Sequence, residues 1–230
     1  MDNKFSKNIS KYWTKLNNEK LFMCPSITMF RIITQNKIIV KNKNILDIGF
    51  GEGQNILELQ KRMAKVSGIE LRSNKIKQLS RKHNISEKNL FKCDLNKSFP
   101  KINNVFSFIY SLDTINYIEY NKLFAFFDSI FGILKKDGYF LIQYPQAQLK
   151  QKSNTTHLNF LIDFKKYKKR DNFYPTINPV IFLSDLQINK LIKSNKKKFK
   201  LISSTFDIGT FSKSDSSSLT INRFLLFKRL

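Results

Sequence analysis

The stretch Asn44–Gly53, NILDIGFGEG, constrains this chain more than any other. Apolar Ile45, Leu46 and Ile48 surround one carboxylate, Asp47. Gly49, Gly51 and Gly53 then alternate with Phe50 and Glu52, and a helical pattern follows from Gln54 to about Val66. Such a stretch reads as a buried strand, a tight turn and a helix. In an open α/β sheet, ligands bind beyond the carboxyl ends of the strands. Glycine at that point lets the backbone take a positive φ and come close to a ligand.

The rest of the chain repeats the rhythm. VSGIEL (66–71), LFKCDL (90–95), VFSFIYSL (105–112) and GYFLIQYP (138–145) read as strands. SNKIKQLSRKHN, capped by Ser73, and YNKLFAFFDSIFGILKK (120–136) read as helices between them. Strand and helix thus alternate from 44 to 145, which predicts a mostly parallel sheet with helices on both faces. Upstream, a polar helix with Tyr12 and Trp13 precedes a second helix capped by Ser26. Residues 146–180 are basic and aromatic without clean periodicity. A helix at 183–194, capped by Ser184, and two strands joined by a Ser-rich turn close the chain, and strands so joined pair antiparallel.

Composition sets bounds. The 230 residues suit one domain, and 41% apolar residues with 22 Phe are enough for a full core. No apolar run is long enough to span a membrane, and Met1–Ser10 is polar, so the expected address is cytoplasmic. Two cysteines, Cys24 and Cys93, give no disulfide framework and no metal cluster. Cys24 is expected in or near the core. The net charge of +24 rests on 41 basic against 17 acidic residues. Abundant Lys, Asn and Ile look like the codon usage of an AT-rich genome, yet the field they create attracts nucleic acid, anionic lipid or a phosphorylated, anionic acceptor all the same.

The glycine turn fails as a dinucleotide site. Counting G-x-G-x-x-G from Gly49 puts Gln54 at the third glycine, and counting from Gly51 puts Ile56 there. D-I-G-F-G-E-G instead resembles motif I of the class I S-adenosylmethionine (SAM)-dependent methyltransferases. Three further matches follow in order: Gly68-Ile69-Glu70 ending the second strand, Cys93-Asp94-Leu95 ending the third, and ILKKDGYFLIQYP into the fifth. In the last, Lys136-Asp137 stands where the family has Pro-Gly, and Asp-Gly still turns. The resemblance covers residues 40–145 well and the remainder in order only.

The resemblance implies a Rossmann-like, seven-stranded sheet of order 3-2-1-4-5-7-6 with an antiparallel last strand. It implies one domain: a helical lid (1–40), a SAM-binding core (41–145), a variable acceptor-site insertion (146–182) and a closing helix and strands (183–230). Gly49, Phe50, Gly51 and Gly53 would lie against SAM, with Asp47 orienting its methionine ammonium. Glu70, next to Leu71, would accept from both ribose hydroxyls through charge-assisted bonds. Asp94 and Leu95 would hold the adenine, the backbone at Ser111 would approach the methionine part, and Arg31 would pair with the methionine carboxylate.

A hydroxyl acceptor needs a base as well as alignment. His157, in the post-strand insertion, and Asp113, just past the fourth strand, are the candidates. His83 is expected to be exposed and remote. The motifs of DNA amino-methyltransferases, cytosine-C5 enzymes and tRNA guanine-N7 enzymes are missing after the fourth strand. What remains for nucleic acid is charge: KKYKKR (165–170) and KSNKKKFK (193–200), with Tyr167 and Phe199 as candidate stacking groups. The expected function is therefore methylation, at oxygen, of a small-molecule or glycan acceptor. RNA methylation and a non-catalytic SAM-binding protein are the alternatives.

Overall fold

The computed structural model describes residues 24–151, 160–162, 183, 185–211 and 218–230. Ser26 caps the first described helix, α1 (Ile27–Gln35), accepting from the Met29 amide at 3.2 Å as its sequence predicts. The alternating series follows as β1 (Asn44–Ile48), α2 (Gln54–Lys61), β2 (Lys65–Glu70), α3 (Ser73–His83), β3 (Leu90–Lys92), β4 (Phe106–Leu112), α4 (Tyr120–Ile133) and β5 (Leu134–Gln151). After a short β6 (Phe160–Ile162) come α5 (Asp185–Ser194), β7 (Phe199–Phe211) and β8 (Ser218–Arg229).

The sheet order is β3-β2-β1-β4-β5-β8-β7. Strands β1 to β5 pair parallel, and β8 pairs antiparallel with both β5 and β7. This is the implied 3-2-1-4-5-7-6 order, with later strands renumbered because β6 adds an antiparallel partner to the far end of β5. Each central strand is buried on both faces, as parallel sheets require. Alternation divides its side chains between two cores. Leu46, Ile48 and Ile109 join α4 and α5 on one face through Leu123, Phe127 and Leu191. Ile45, Phe108 and Tyr110 join α1, α2 and α3 on the other through Ile32, Leu59 and Leu79.

Several details differ from the sequence reading. Helix α2 stops at Lys61 rather than near Val66, because Met63 takes a positive φ of 62° and turns the chain into β2. Ser73 is the first residue of α3, not its cap; Arg72 holds that position without a side-chain capping bond to the helix. Strand β5 starts at Leu134, and residues 135–138 bulge out between the pairs Phe106↔Leu134 and Phe108↔Tyr139. The Asp137-Gly138 turn is therefore a bulge within the strand, with Asp137 at φ 62°. Phe199 is no stacking platform. It is buried against Phe127, Phe131 and Phe227. Cys24 is exposed rather than in the core. Tyr12, Trp13, Tyr167, the Ser184 cap and the 165–170 stretch lie outside the described residues.

Two glycines make opposite predictions. Gly53 has φ 82°, and a Cβ there would stand 2.4 Å from Leu79 Cδ1, so Gly53→Ala is expected to lower urea-unfolding stability by about 1–3 kcal/mol. Gly132 lies within α4 with nothing near its missing Cβ, so Gly132→Ala is expected to raise stability by about 0.5–1 kcal/mol.

Candidate functional site

At the carboxyl ends of β1 to β5 lies a cavity of about 440 Å³. It is of the size that takes a small-molecule ligand. The glycine turn, the β2 end at Glu70 and Leu71, the β3 end at Asp94 and Leu95, and the β4 end at Leu112 and Asp113 form its walls. Cys24 and Ser26, on the segment entering α1, close one side.

The turn is preformed by its own bonds. Gly49 and Phe50 donate to the Ile69 carbonyl at 2.8 and 3.3 Å, Gly51 donates to Glu70 Oε2 at 2.9 Å, and Gly53 donates to the Phe50 carbonyl at 2.8 Å. A phosphate cradle needs such amides pointing at the ligand. Here four of them are spent on protein acceptors, which agrees with the failed dinucleotide spacing. The glycines also divide their work. A Cβ on Gly49 would fall 1.9 Å from Thr114 Oγ1, and one on Gly53 would strike Leu79. Only Gly51 faces open space, its nearest neighbour being Arg72 at 3.9 Å. A side chain is thus excluded at Gly49 and Gly53 by packing, while Gly51 leaves space at the cavity.

Glu70 is buried at the cavity wall. Its Oε2 accepts from Gly51, and its Oε1 accepts from the Arg72 amide at 3.1 Å and the Arg72 Nε at 3.0 Å. A carboxylate offers about four acceptor positions. Three are taken by the protein's own donors. Asp94 accepts from the Asn96 amide at 3.1 Å. Asn96 in turn donates to the Tyr117 carbonyl at 2.7 Å and accepts from the Glu119 amide, tying the loops after β3 and β4 together. Burial and the neighbouring Asp94 push the Cys93 thiol up to about 11, so it stays protonated.

Asp113 opens onto the cavity at a positive φ of 51°, and its Oδ1 accepts from Gln143 Nε2 at 2.9 Å. Although the residue is exposed at the cavity, desolvation of its carboxyl pushes it up to about 6, against the lowering effect of that bond.

The structure brings Gly49, Phe50, Gly51, Glu70, Leu71, Asp94, Leu95 and Asp113 to one cavity. It places four expected residues elsewhere. Arg31 is exposed on α1, away from the wall, and Gly53 and Ser111 lie behind it. Asp47 is 3% exposed within β1 and accepts from the Tyr110 hydroxyl at 2.8 Å. Burial, and secondarily the charge of Glu70, push its carboxyl up to about 8 despite that bond. His83 is exposed at the end of α3, as expected, and His157 lies outside the described residues. The sequence reading missed Arg72, Thr114 and Gln143. Gln143 had a signal, being a polar residue inside the apolar run GYFLIQYP. Among the described residues, no group of three or more His, Cys, Asp or Glu is arranged to hold a metal, and no helix is long and apolar enough to cross a membrane.

With this geometry, the comparison with known proteins is direct. A methyltransferase-domain family matches residues 6–176, about three quarters of the chain. The chain belongs to this family, and methyl transfer is its class of activity. Its fold is similar to that of a SAM-dependent methyltransferase from Clostridium acetobutylicum, with a TM-score of 0.58 at 13% identity, covering 98% of this chain and 90% of that one. It also resembles magnesium protoporphyrin IX methyltransferase from Synechocystis, solved with bound SAM, with a TM-score of 0.57 at 11% identity over 88% and 77% of the two chains. TehB from Haemophilus influenzae matches with a TM-score of 0.56 at 16% identity, over 87% of this chain, which spans 62% of that protein's length. Likeness at these identities speaks for the fold alone. No curated protein matches the chain in sequence.

Asp47 gives a pH prediction. The folded state keeps its proton up to about pH 8, whereas the unfolded chain gives it up near 3.8. Between those values the native state binds more protons, so this residue's contribution to stability falls as pH rises. In Asp47→Asn that loss is absent. Thermal unfolding from pH 4 to 8 is expected to show the variant gaining steadily on wild type; a constant difference would contradict the assignment.

Proposed function

We propose that this protein binds SAM in the cavity and transfers its methyl group to a hydroxyl of a small-molecule or glycan acceptor. The observation carrying this reading is that Gly51, Glu70, Asp94 and Asp113, on four different strand ends, line one cavity. Its wall carries the carboxylates of Glu52, Glu70, Asp94 and Asp113 against two cations, the Arg72 guanidinium and the buried Lys75 ammonium that pairs with Glu52 at 2.5 Å. That excess of negative charge suits a cationic sulfonium cofactor. It suits a neutral acceptor better than a phosphorylated one.

When bound, SAM supplies an electrophilic methyl group. The chain's residues do the rest. Glu70 accepts from a ribose hydroxyl, and Gly51 leaves room for the sugar. Asp94 accepts from the adenine amine, with Leu95 against the ring. Asp113, steered by Gln143, takes the proton that an acceptor hydroxyl gives up as it attacks. His157 is the other candidate base, from the insertion that follows β5. The segment ahead of α1 acts as a lid, because Cys24 and Ser26 already form part of the wall. The lysines of 193–200 follow α5 and enter β7 at the opposite end of the sheet, which supports a small acceptor over a nucleic acid held at the cavity.

The test is transfer of labelled methyl from SAM into a panel of phenolic and sugar acceptors. With an acceptor in hand, wild-type kcat is expected to rise with pH through about 6 as Asp113 ionises. Asp113→Asn is expected to lower kcat by about 100-fold and to leave SAM affinity in place. Unchanged turnover in that variant removes Asp113 as the base and leaves His157.

A further inference from the structure

The cavity occupies one end of the sheet. The other end carries a different set of residues. Strands β1, β2, β4 and β5 begin there, β7 enters there and β8 finishes there. Their connections form a continuous rim: Lys65 N–H donates to the Lys43 carbonyl at 2.9 Å, the Asn44 side-chain amide to the Val105 carbonyl at 3.2 Å, and Leu230 N–H to the Lys198 carbonyl at 3.0 Å. Phe106 pairs with Leu134, and Phe199 with Arg229.

Along this rim Lys43, Lys65, Lys135, Lys136, Lys196 and Lys197 are exposed, and none of the six forms an ion pair among the described residues. The acids nearby are few. Glu58, Asp128 and Asp137 are engaged by Arg62, Lys198 and Lys228, and Glu87 lies at the β3 margin. Among the lysines stand large apolar side chains open to solvent: Ile39 is 68% exposed, Met63 and Val105 56%, and Leu230 54%. Met63 is held beside the lysine turn by the Asn42 N–H, which donates to its carbonyl at 2.8 Å.

Lysines alone suit any polyanion; the apolar residues discriminate. Nucleic-acid surfaces interleave aromatic rings that stack on bases. Among the residues whose exposure is described, Phe206 is the one exposed aromatic, and it lies farther along β7, against Arg223. The rim's exposed apolar groups are all aliphatic. Aliphatic side chains ringed by lysines match the boundary between acidic headgroups and acyl chains. We propose that this end of the protein docks on the surface of an anionic lipid bilayer. The lysines meet the headgroups and Ile39, Met63, Val105 and Leu230 dip between them. Docked this way, the cavity at the opposite end stays open to solvent.

The test is co-sedimentation of the full chain with phosphatidylcholine vesicles, plain or containing about one third phosphatidylserine. The expected result is binding at least about tenfold stronger to the acidic vesicles and reversed by salt. The quadruple variant Lys135→Glu, Lys136→Glu, Lys196→Glu, Lys197→Glu is expected to lose that gain. The double variant Ile39→Ser, Met63→Ser is expected to lose several-fold at unchanged charge. Reversing Lys165, Lys166, Lys168 and Lys169 to Glu is expected to leave more binding than reversing the rim. Thermal unfolding checks each variant's fold, and Lys196→Glu with Lys197→Glu replaces the quadruple variant if that one unfolds early. Equal binding to plain and acidic vesicles, or rim variants that bind like wild type, overturns the proposal. So does tighter binding to a single-stranded RNA oligomer that the Ile39→Ser, Met63→Ser variant does not weaken.

Discussion

Glu70 ends β2 with its carboxylate buried, accepting from Gly51 on one oxygen and from the amide and Nε of Arg72 on the other. This pair sets the shape of the ligand end of the sheet. It holds the tip of the glycine turn against the neighbouring strand and fixes the path of the chain into α3. The Arg72 guanidinium is itself buried at the cavity wall. Breaking such a pair strands a charge out of water, which costs about 3–5 kcal/mol. The arrangement therefore holds the turn in place through the protein's own bonds.

The rest of the architecture builds on that end. A parallel sheet places every strand's carboxyl end on the same side, so residues distant in sequence, Gly51, Glu70, Asp94 and Asp113, converge without any loop having to reach far. The opposite end receives the turns between helices and strands, and this chain fills them with lysines. The exposed lysines of this rim are thus separated in space from the carboxylate-lined cavity.

Much of this was legible in the sequence. The run NILDIGFGEG has one compatible local structure, a buried strand turning into a helix, and the alternation up to Tyr144 left one sheet class. Glu70, Asp94 and Asp113 were readable because each ends a strand, and strand ends face the site. What the sequence hid depends on register and on packing. Asp47 looks free to meet a ligand until β1 is set beside β4, which places Tyr110 opposite it and takes its carboxylate. Gly53 looks like a ligand contact until Leu79 is seen packed against it and the cavity wall passes it by. Phe199 sits in a lysine-rich stretch yet points inward, because strand alternation in β7 outweighs local composition. The bulge at 135–138 leaves no pattern that a strand reading detects.

The account rests on SAM occupying the cavity, and calorimetric titration of the purified protein with SAM and, separately, NADH tests this most directly. The predicted result is saturable binding of SAM, weakened by about tenfold or more in a folded Glu70→Gln variant because a charge-assisted bond to the ribose becomes a neutral one, and no heat with NADH. A folded wild-type protein that takes up NADH, or that gives no heat with SAM, would contradict it.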